Sequence, residues 1–137
     1  MMKYKFFDHT ADVAFEAYGK TLEELFENSA LAVFETMVDL KTVSGDIKKT
    51  IKLEAESEER LFLDFLEELI FLKDSDYMVF NRFEAKIKNN KLIAAAYGDK
   101  INPGKHKLKV DVKAVTMHKF KFEKTKTGYK AFVIIDI

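Results

Sequence analysis

The sequence predicts an α+β fold in which two amphipathic helices pack on a largely antiparallel sheet. Three observations predict it. Two segments repeat their apolar residues with helical period, most of the remaining chain alternates apolar with polar residues, and the elements run strand, strand, helix, strand, helix and then several strands.

The first helix is predicted over TLEELFENSALAVFETMV. Leu22, Leu25, Phe26, Ala30, Val33, Phe34 and Met37 fall on one stripe at the i, i+3, i+4 spacing. Thr21 followed three residues later by Glu24 has the pattern of a capping box, in which each side chain satisfies a free backbone N–H. The second helix is predicted over SEERLFLDFLEELIFLKD, with Leu61, Phe62, Phe65, Leu66, Leu69 and Leu72 on its stripe and Ser57 as its cap. Glu58 and Glu59 suit the positive end of that helix's dipole.

Strand-like alternation begins early. Val13, Phe15 and Ala17 face one way and Ala14, Glu16 and Tyr18 the other, and Ile47, Ile51 and Leu53 sit in a similar run ahead of the second helix. Asn89 and Asn90 predict a hairpin turn between FEAKIK and LIAAAY, because Asn tolerates positive φ. Thr127 and Gly128 predict another between HKFKFEK and YKAFVIIDI. With no repeat, linker or low-complexity tract, residues 1–137 read as a single domain.

Composition narrows the function classes. A 137-residue chain with 47% hydrophobic content and 13 Phe has the material for one proper core. Its net charge of zero lacks the strongly basic balance of a protein that grips nucleic acid through bulk electrostatics. The absence of Cys excludes disulfides, thiolate metal sites and Cys nucleophiles. No apolar run approaches membrane-spanning length or the core of a signal peptide, so a soluble cytoplasmic protein is expected.

Charge is uneven along the chain. Residues 101–137 carry nine Lys against Asp111, Glu123 and Asp136, which leaves the first hundred residues correspondingly acidic. Lys107, Lys109 and Lys113 alternate with Leu108, Val110 and Val112, and Lys119 and Lys121 with Phe120 and Phe122. The pattern matches the solvent face of strands, where Lys also protects sheet edges. The alternative is an RNA-binding accessory module that uses these Lys-rich C-terminal strands.

Phosphate loops, dinucleotide fingerprints, HExxH and GxSxG are all missing, which argues against a stand-alone nucleotide-using or hydrolytic enzyme. What remains is FDHTAD near the start, GKH at 104–106, TMH at 116–118 and the terminal DI. Asp8, Asp12 and Asp136 offer hard carboxylate oxygens of the kind that bind Ca²⁺ or Mg²⁺. The α-carboxylate of Ile137 would add a fourth anionic group if the last strand lies beside the first ones. Spacing alone leaves the other reading open, with Asp8 in a turn, Asp12 capping a strand entry and Asp136 at a polar end. His106 has no partner that the sequence identifies.

DHTADVAFEAYGKTLEELFENSALAVFETM resembles the opening signature of the archease family, and KAVTMHKF with AFVIIDI resembles its closing signature. SEERLFLDFLEELIFLKD is similar to the family's second helix, so the resemblance spans nearly the whole chain. It implies a non-enzymatic protein cofactor of the tRNA-splicing RNA ligase. That enzyme joins a 3′-phosphate or 2′,3′-cyclic phosphate RNA end to a 5′-hydroxyl, using GTP, divalent metal and a guanylylated His. Archeases promote the guanylylation and multiple turnover, with tRNA involved only indirectly.

The resemblance also implies roles for residues. Asp12, Asp136 and Ile137 match the family's metal ligands, for a divalent cation that is Ca²⁺ or alternatively Mg²⁺ or Mn²⁺. Asp8 and His9 fall in the opening motif with supporting roles, and His9 would orient Asp12 by hydrogen bonding rather than touch the metal. Lys113 and His118 fall in the closing motif with supporting or partner-contacting roles; by themselves they read equally as an exposed strand residue and a polar residue ending a strand. Met117 stands where an aromatic Tyr is expected, which removes any role for a hydroxyl there.

Overall fold

The structure is a computed structural model that describes residues 2–7 and 11–137. The chain runs β1 (Tyr4–Phe7), β2 (Val13–Gly19), α1 (Leu22–Met37), β3 (Ile47–Glu54), α2 (Glu58–Asp76), β4 (Met78–Lys88), β5 (Lys91–Lys100), β6 (Ala114–Lys124) and β7 (Tyr129–Asp136). Every strand pairing is antiparallel, in keeping with the α+β expectation. The strands divide between two sheets, one ordered β1-β2-β7-β6 and the other β3-β5-β4.

Both helices touch both sheets. α1 packs on β1, β2 and β7 of the first and on β4 of the second, while α2 packs on β6 of the first and on all three strands of the second. This explains why their buried faces are wider than a single stripe. On α1 the predicted positions are all buried, and Asn28, Ser29 and Ala32 join them; on α2, Leu63, Ile70 and Lys73 do the same, whereas Leu72 is only half-buried. Aromatic contacts hold the layers together. Phe26 meets Phe62 across the helices at 5.3 Å between centroids, Phe34 meets Phe80 of β4 at 5.3 Å, and Phe62 meets Phe122 of β6 at 5.5 Å. Such pairs add about 0.5–1.5 kcal/mol each beyond the area they bury.

The local signals behave as their chemistry requires. Thr21 Oγ1 accepts the Glu24 N–H at 3.1 Å, and the Glu24 carboxylate accepts the N–H of Lys20 at 3.3 Å. Ser57 Oγ accepts from Arg60 N at 3.1 Å. Asn89 and Asn90 turn the β4–β5 hairpin with φ of 51° and 60°, the left-handed pair that such a turn needs. A register shift between Phe80 and Arg82 on β4 faces Gly98 on β5, where a Cβ would collide with the Val79 carbonyl.

The segment 101–113 differs from expectation. The alternation of Lys107, Lys109 and Lys113 with Leu108, Val110 and Val112 predicts a strand, but only an isolated bridge pairs Leu108 with Val38. Leu108 and Val110 are each 45% exposed, so they do not form a buried strand face. The backbone is occupied elsewhere: Lys109 N donates to Met37 O at 2.8 Å, Val110 N to Thr36 O at 3.3 Å, and Lys109 Nζ to Glu35 O at 3.0 Å. These bonds satisfy carbonyls left open at the end of α1. Buried Lys73 of α2 then fixes the segment's far end, donating to Asp111 at 2.6 Å and to the Val112 carbonyl at 2.8 Å. Burial pushes the Lys73 ammonium pKa down, but the hydrogen bonds and charges of Asp111 and Asp74 outweigh it and hold the pKa above its ordinary value.

His106 acquires a partner from β5. Its Nε2 lies 2.9 Å from Asp99 Oδ2, and its Nδ1 accepts the Asn102 N–H at 3.0 Å, which fixes the ring proton on Nε2. Asp99 also accepts from Lys105 Nζ at 2.9 Å, Ser44 N at 2.7 Å and Gly45 N at 3.0 Å. Burial pushes the Asp99 pKa up; these donors overcome it and hold the carboxyl well below the usual range. The pair is a clasp between the loop after α1 and the loop after β5. Among the described residues, no helix is long and apolar enough to cross a membrane.

Candidate metal-binding site at the shared end of β2 and β7

The first sheet brings the chain's two acidic ends to one edge of the molecule. β2 pairs with β7 in the register Val13↔Ile135, Phe15↔Val133 and Ala17↔Ala131. Asp12 precedes Val13 and Asp136 follows Ile135, so the next position on each strand is an aspartate. Side chains alternate across a sheet, and Val13, Phe15, Val133 and Ile135 pack toward the core. The two aspartates therefore belong to the opposite face of the sheet, together with Ala14 and Ile134, the next pair on it, which is itself covered, each residue being 1% exposed.

β6 completes the edge. Ala114 pairs with Asp136, and Lys113 donates its backbone N–H to the Asp136 carbonyl at 2.7 Å. Asp136 and Lys113 are exposed, Asp12 is half-buried, and Ile137 is half-buried with its side chain against the core. The packed Ile137 side chain anchors the last residue next to Asp136. Asp8 and His9 lie outside the described residues.

His118 sits in a different local setting. The β6–β7 register slips between Thr116↔Ile134 and Lys121↔Phe132, so that Met117, His118, Lys119 and Phe120 stand opposite Val133 alone. Lys119 takes φ of 55° in this bulge, and Met117 is 61% exposed. His118 is exposed too, on the strand that Lys113 immediately precedes. Phe120 at the end of the bulge and Phe122 beyond it turn inward onto Phe62, leaving Lys119 and Lys121 in solvent, as the alternation predicts. Thr116, first residue of the TMH stretch, has its hydroxyl buried without a hydrogen-bond partner among the described residues, one pair from Val115↔Ile135, which the sequence pattern does not signal.

No three His, Asp or Glu side chains among the described residues come together as a metal-holding group. What the register places together at this strand end is two aspartates, Asp12 and Asp136, whose side chains offer oxygen donors. Such a set suits a hard divalent cation better than a softer one.

Comparison with known proteins gives this arrangement a family. Residues 4–137 match the model of the Archease protein family (MTH1598/TM1083). The chain belongs to the archease family. It is 40% identical over 140 residues to the protein archease of Methanosarcina mazei, covering 98% of this chain and 96% of that one. The solution structure of Methanobacterium thermoautotrophicum protein 1598 superposes with a TM-score of 0.86 at 39% identity, covering 100% of both chains. The crystal structure of a Thermotoga maritima archease, described as a possible chaperone, superposes with a TM-score of 0.68 at 27% identity, covering 97% of this chain and 96% of that one. The archease match thus takes in both halves of the candidate site, Asp12 and Asp136 alike.

Proposed function

We propose that the chain is a non-enzymatic activator of the tRNA-splicing RNA ligase, acting in the cytoplasm, and that it promotes the ligase's guanylylation and repeated turnover through a metal-binding acidic tip. The observation that carries this reading is the β2–β7 register, which sets Asp12 and Asp136 at neighbouring positions on one sheet edge. Membership of the archease family supports it.

In this reading Asp12, Asp136 and the α-carboxylate of Ile137 hold a divalent cation, Ca²⁺ in the first place, with Mg²⁺ and Mn²⁺ also compatible with oxygen donors. The bound ion would supply positive charge against the negative charge that grows on phosphate oxygens during guanylyl transfer. The protein's own residues do the positioning. The Lys113 backbone N–H holds the Asp136 backbone in place. The inward packing of Val13, Ile135 and Ile137 makes the sheet end rigid, so the carboxylates need little ordering when they engage. In this reading Lys113, exposed just before β6, and His118, exposed on β6, donate hydrogen bonds to the partner, and Asp8 and His9 act in supporting roles.

The test is the rate at which purified ligase becomes guanylylated from GTP, with and without the chain and in the presence of a divalent cation. A faster rate at substoichiometric amounts of the chain is expected. An unchanged rate over a range of concentrations and cations contradicts the proposal.

A further inference from the structure

The second sheet carries an exposed face that the ligase reading does not use. Its outward side chains come from alternate positions of β3, β5 and β4, and the register sets them in rows. Lys48, Tyr97 and Arg82 form one row across the sheet, and Lys52, Ile93 and Lys86 another; Lys88 stands directly opposite Lys91.

Charge on this face is one-sided. Its cations are Lys48, Lys52, Arg82, Lys86, Lys88 and Lys91, and its only carboxylates among the described residues are Glu54 and Glu84. Both carboxylates are engaged, Glu84 with Arg82 at 2.6 Å and Glu54 with Lys91 at 3.7 Å. Lys48, Lys52, Lys86 and Lys88 have no ion-pair partner among the described residues. Like charges directly across a strand pair, as at Lys88 and Lys91, cost stability in the free protein. The sum is a surface that gains from covering by a polyanion.

The middle of the face is not charged. Tyr97 is half-buried with the Arg82 guanidinium 3.7 Å from its ring centroid, and Ile93 is 54% exposed. Both lie on central β5, about 13 Å apart along the strand. The free lysines lie on β3 and β4 to either side. Apolar and π surface on the central strand with cations on both flanks suits a chain that presents unstacked bases and phosphates together. A duplex would offer this face phosphates alone and leave Tyr97 and Ile93 without a role.

The geometry points to the outward face of β3-β5-β4 as a binding surface for single-stranded RNA. Bases contact Ile93 and the stack of Arg82 on Tyr97, and phosphates contact Lys48, Lys52, Lys86 and Lys88. The choice of RNA over DNA rests on the ligase reading; the rest of the argument stands on this sheet alone.

The experiment measures fluorescence anisotropy of a labelled 12-nucleotide single-stranded RNA of mixed sequence titrated with the intact chain. It is done in chelator and without ligase, so the outcome is independent of the metal site and of guanylylation. Four phosphate contacts predict an affinity loss of about fiftyfold between 50 and 200 mM salt. The double variant K52E/K86E, whose positions are solvent-exposed, is expected to bind at least about tenfold more weakly, with a shallower salt dependence. Tyr97→Ala is expected to bind about tenfold more weakly with the salt dependence unchanged, and Tyr97→Phe to bind like the parent. Circular dichroism melting of each variant confirms the fold.

Three results would overturn the inference: no binding at 50 mM salt, full binding by folded K52E/K86E, or loss of binding in K119E/K121E on β6 instead. Equal affinity for a DNA strand of the same sequence, for duplex RNA or for anionic vesicles would overturn the assignment to single-stranded RNA.

Discussion

Lys113 donates its backbone N–H to the Asp136 carbonyl at 2.7 Å, fixing the start of β6 to the end of β7 one register step from where β2 begins. Three strand ends thereby share one edge. A residue near the start of the chain and the penultimate residue become neighbours without any long loop reaching between them.

Removing the Asp136 carboxylate should leave the metal-free fold intact. It is exposed and makes no hydrogen bond or ion pair among the described residues, so Asp136→Ala loses no cap, and it relieves repulsion from Asp12. In chelator its melting temperature is expected to equal or exceed that of the parent. Added Ca²⁺ should raise the parent's melting temperature but not the variant's, because an ion that binds only the folded state stabilises it by mass action. Differential scanning calorimetry with and without Ca²⁺ checks both halves.

Extending the chain past Ile137 should weaken the site. Added residues convert the α-carboxylate into a neutral peptide carbonyl while the Ile137 side chain can keep its core packing. Titration calorimetry is expected to show Ca²⁺ affinity lower by about tenfold, since affinity at oxygen sites follows ligand charge. Unchanged affinity would remove Ile137 from the ligand set.

Asp99→Asn should destabilise the fold by about 3 kcal/mol, because it breaks a buried carboxylate's bonds to Lys105 and His106 and weakens those from Ser44 and Gly45. Its pH dependence has a definite sign. The folded-state pKa lies below the unfolded value near 4, so the stabilisation is fully present above about pH 5 and is lost as the pH falls toward the folded value. Urea unfolding of the parent should weaken from pH 5 to pH 3, and the Asn variant should show a smaller loss over the same range.

Phe62→Ala should cost about 3–5 kcal/mol. Its ring touches Phe26 on α1 and both Phe120 and Phe122 on β6, so the cavity lies where the two helices and the first sheet meet. The denaturation midpoint is expected to fall with the m-value unchanged.

How far the sequence could be read depended on the range of the interactions involved. Thr21, Ser57, Asn89 and Asn90 act within a few residues of themselves, and their patterns named the caps and the turn. The alternation of Lys107, Lys109 and Lys113 with Leu108, Val110 and Val112 misled, because the period of two persists while the backbone donates to the end of α1 instead of a ladder. The division into two sheets rests on pairings between distant segments such as β2 with β7, which local pattern does not encode. Donor chemistry raises the adjacency of Asp12 and Asp136 only on the condition that the last strand lies beside the first ones, and the family resemblance supplies the shared ligand set that spacing leaves open. The basic face of β3-β5-β4 was masked by arithmetic: the first hundred residues are acidic overall because Glu23, Glu24, Glu58, Glu59, Glu67 and Glu68 ride on the helices, while the lysines sit on strands.

The central claim is that Asp12 and Asp136 act through chemistry at the partner rather than by holding the fold. The most direct measurement is the initial rate of ligase guanylylation with Asp12→Ala and Asp136→Ala, each paired with its melting curve in chelator. Both variants are expected to lose stimulation of the ligase, and Asp136→Ala to do so while melting at or above the parent temperature. Variants that melt early in chelator yet still stimulate the ligase would show the two aspartates to be architectural and would contradict the account.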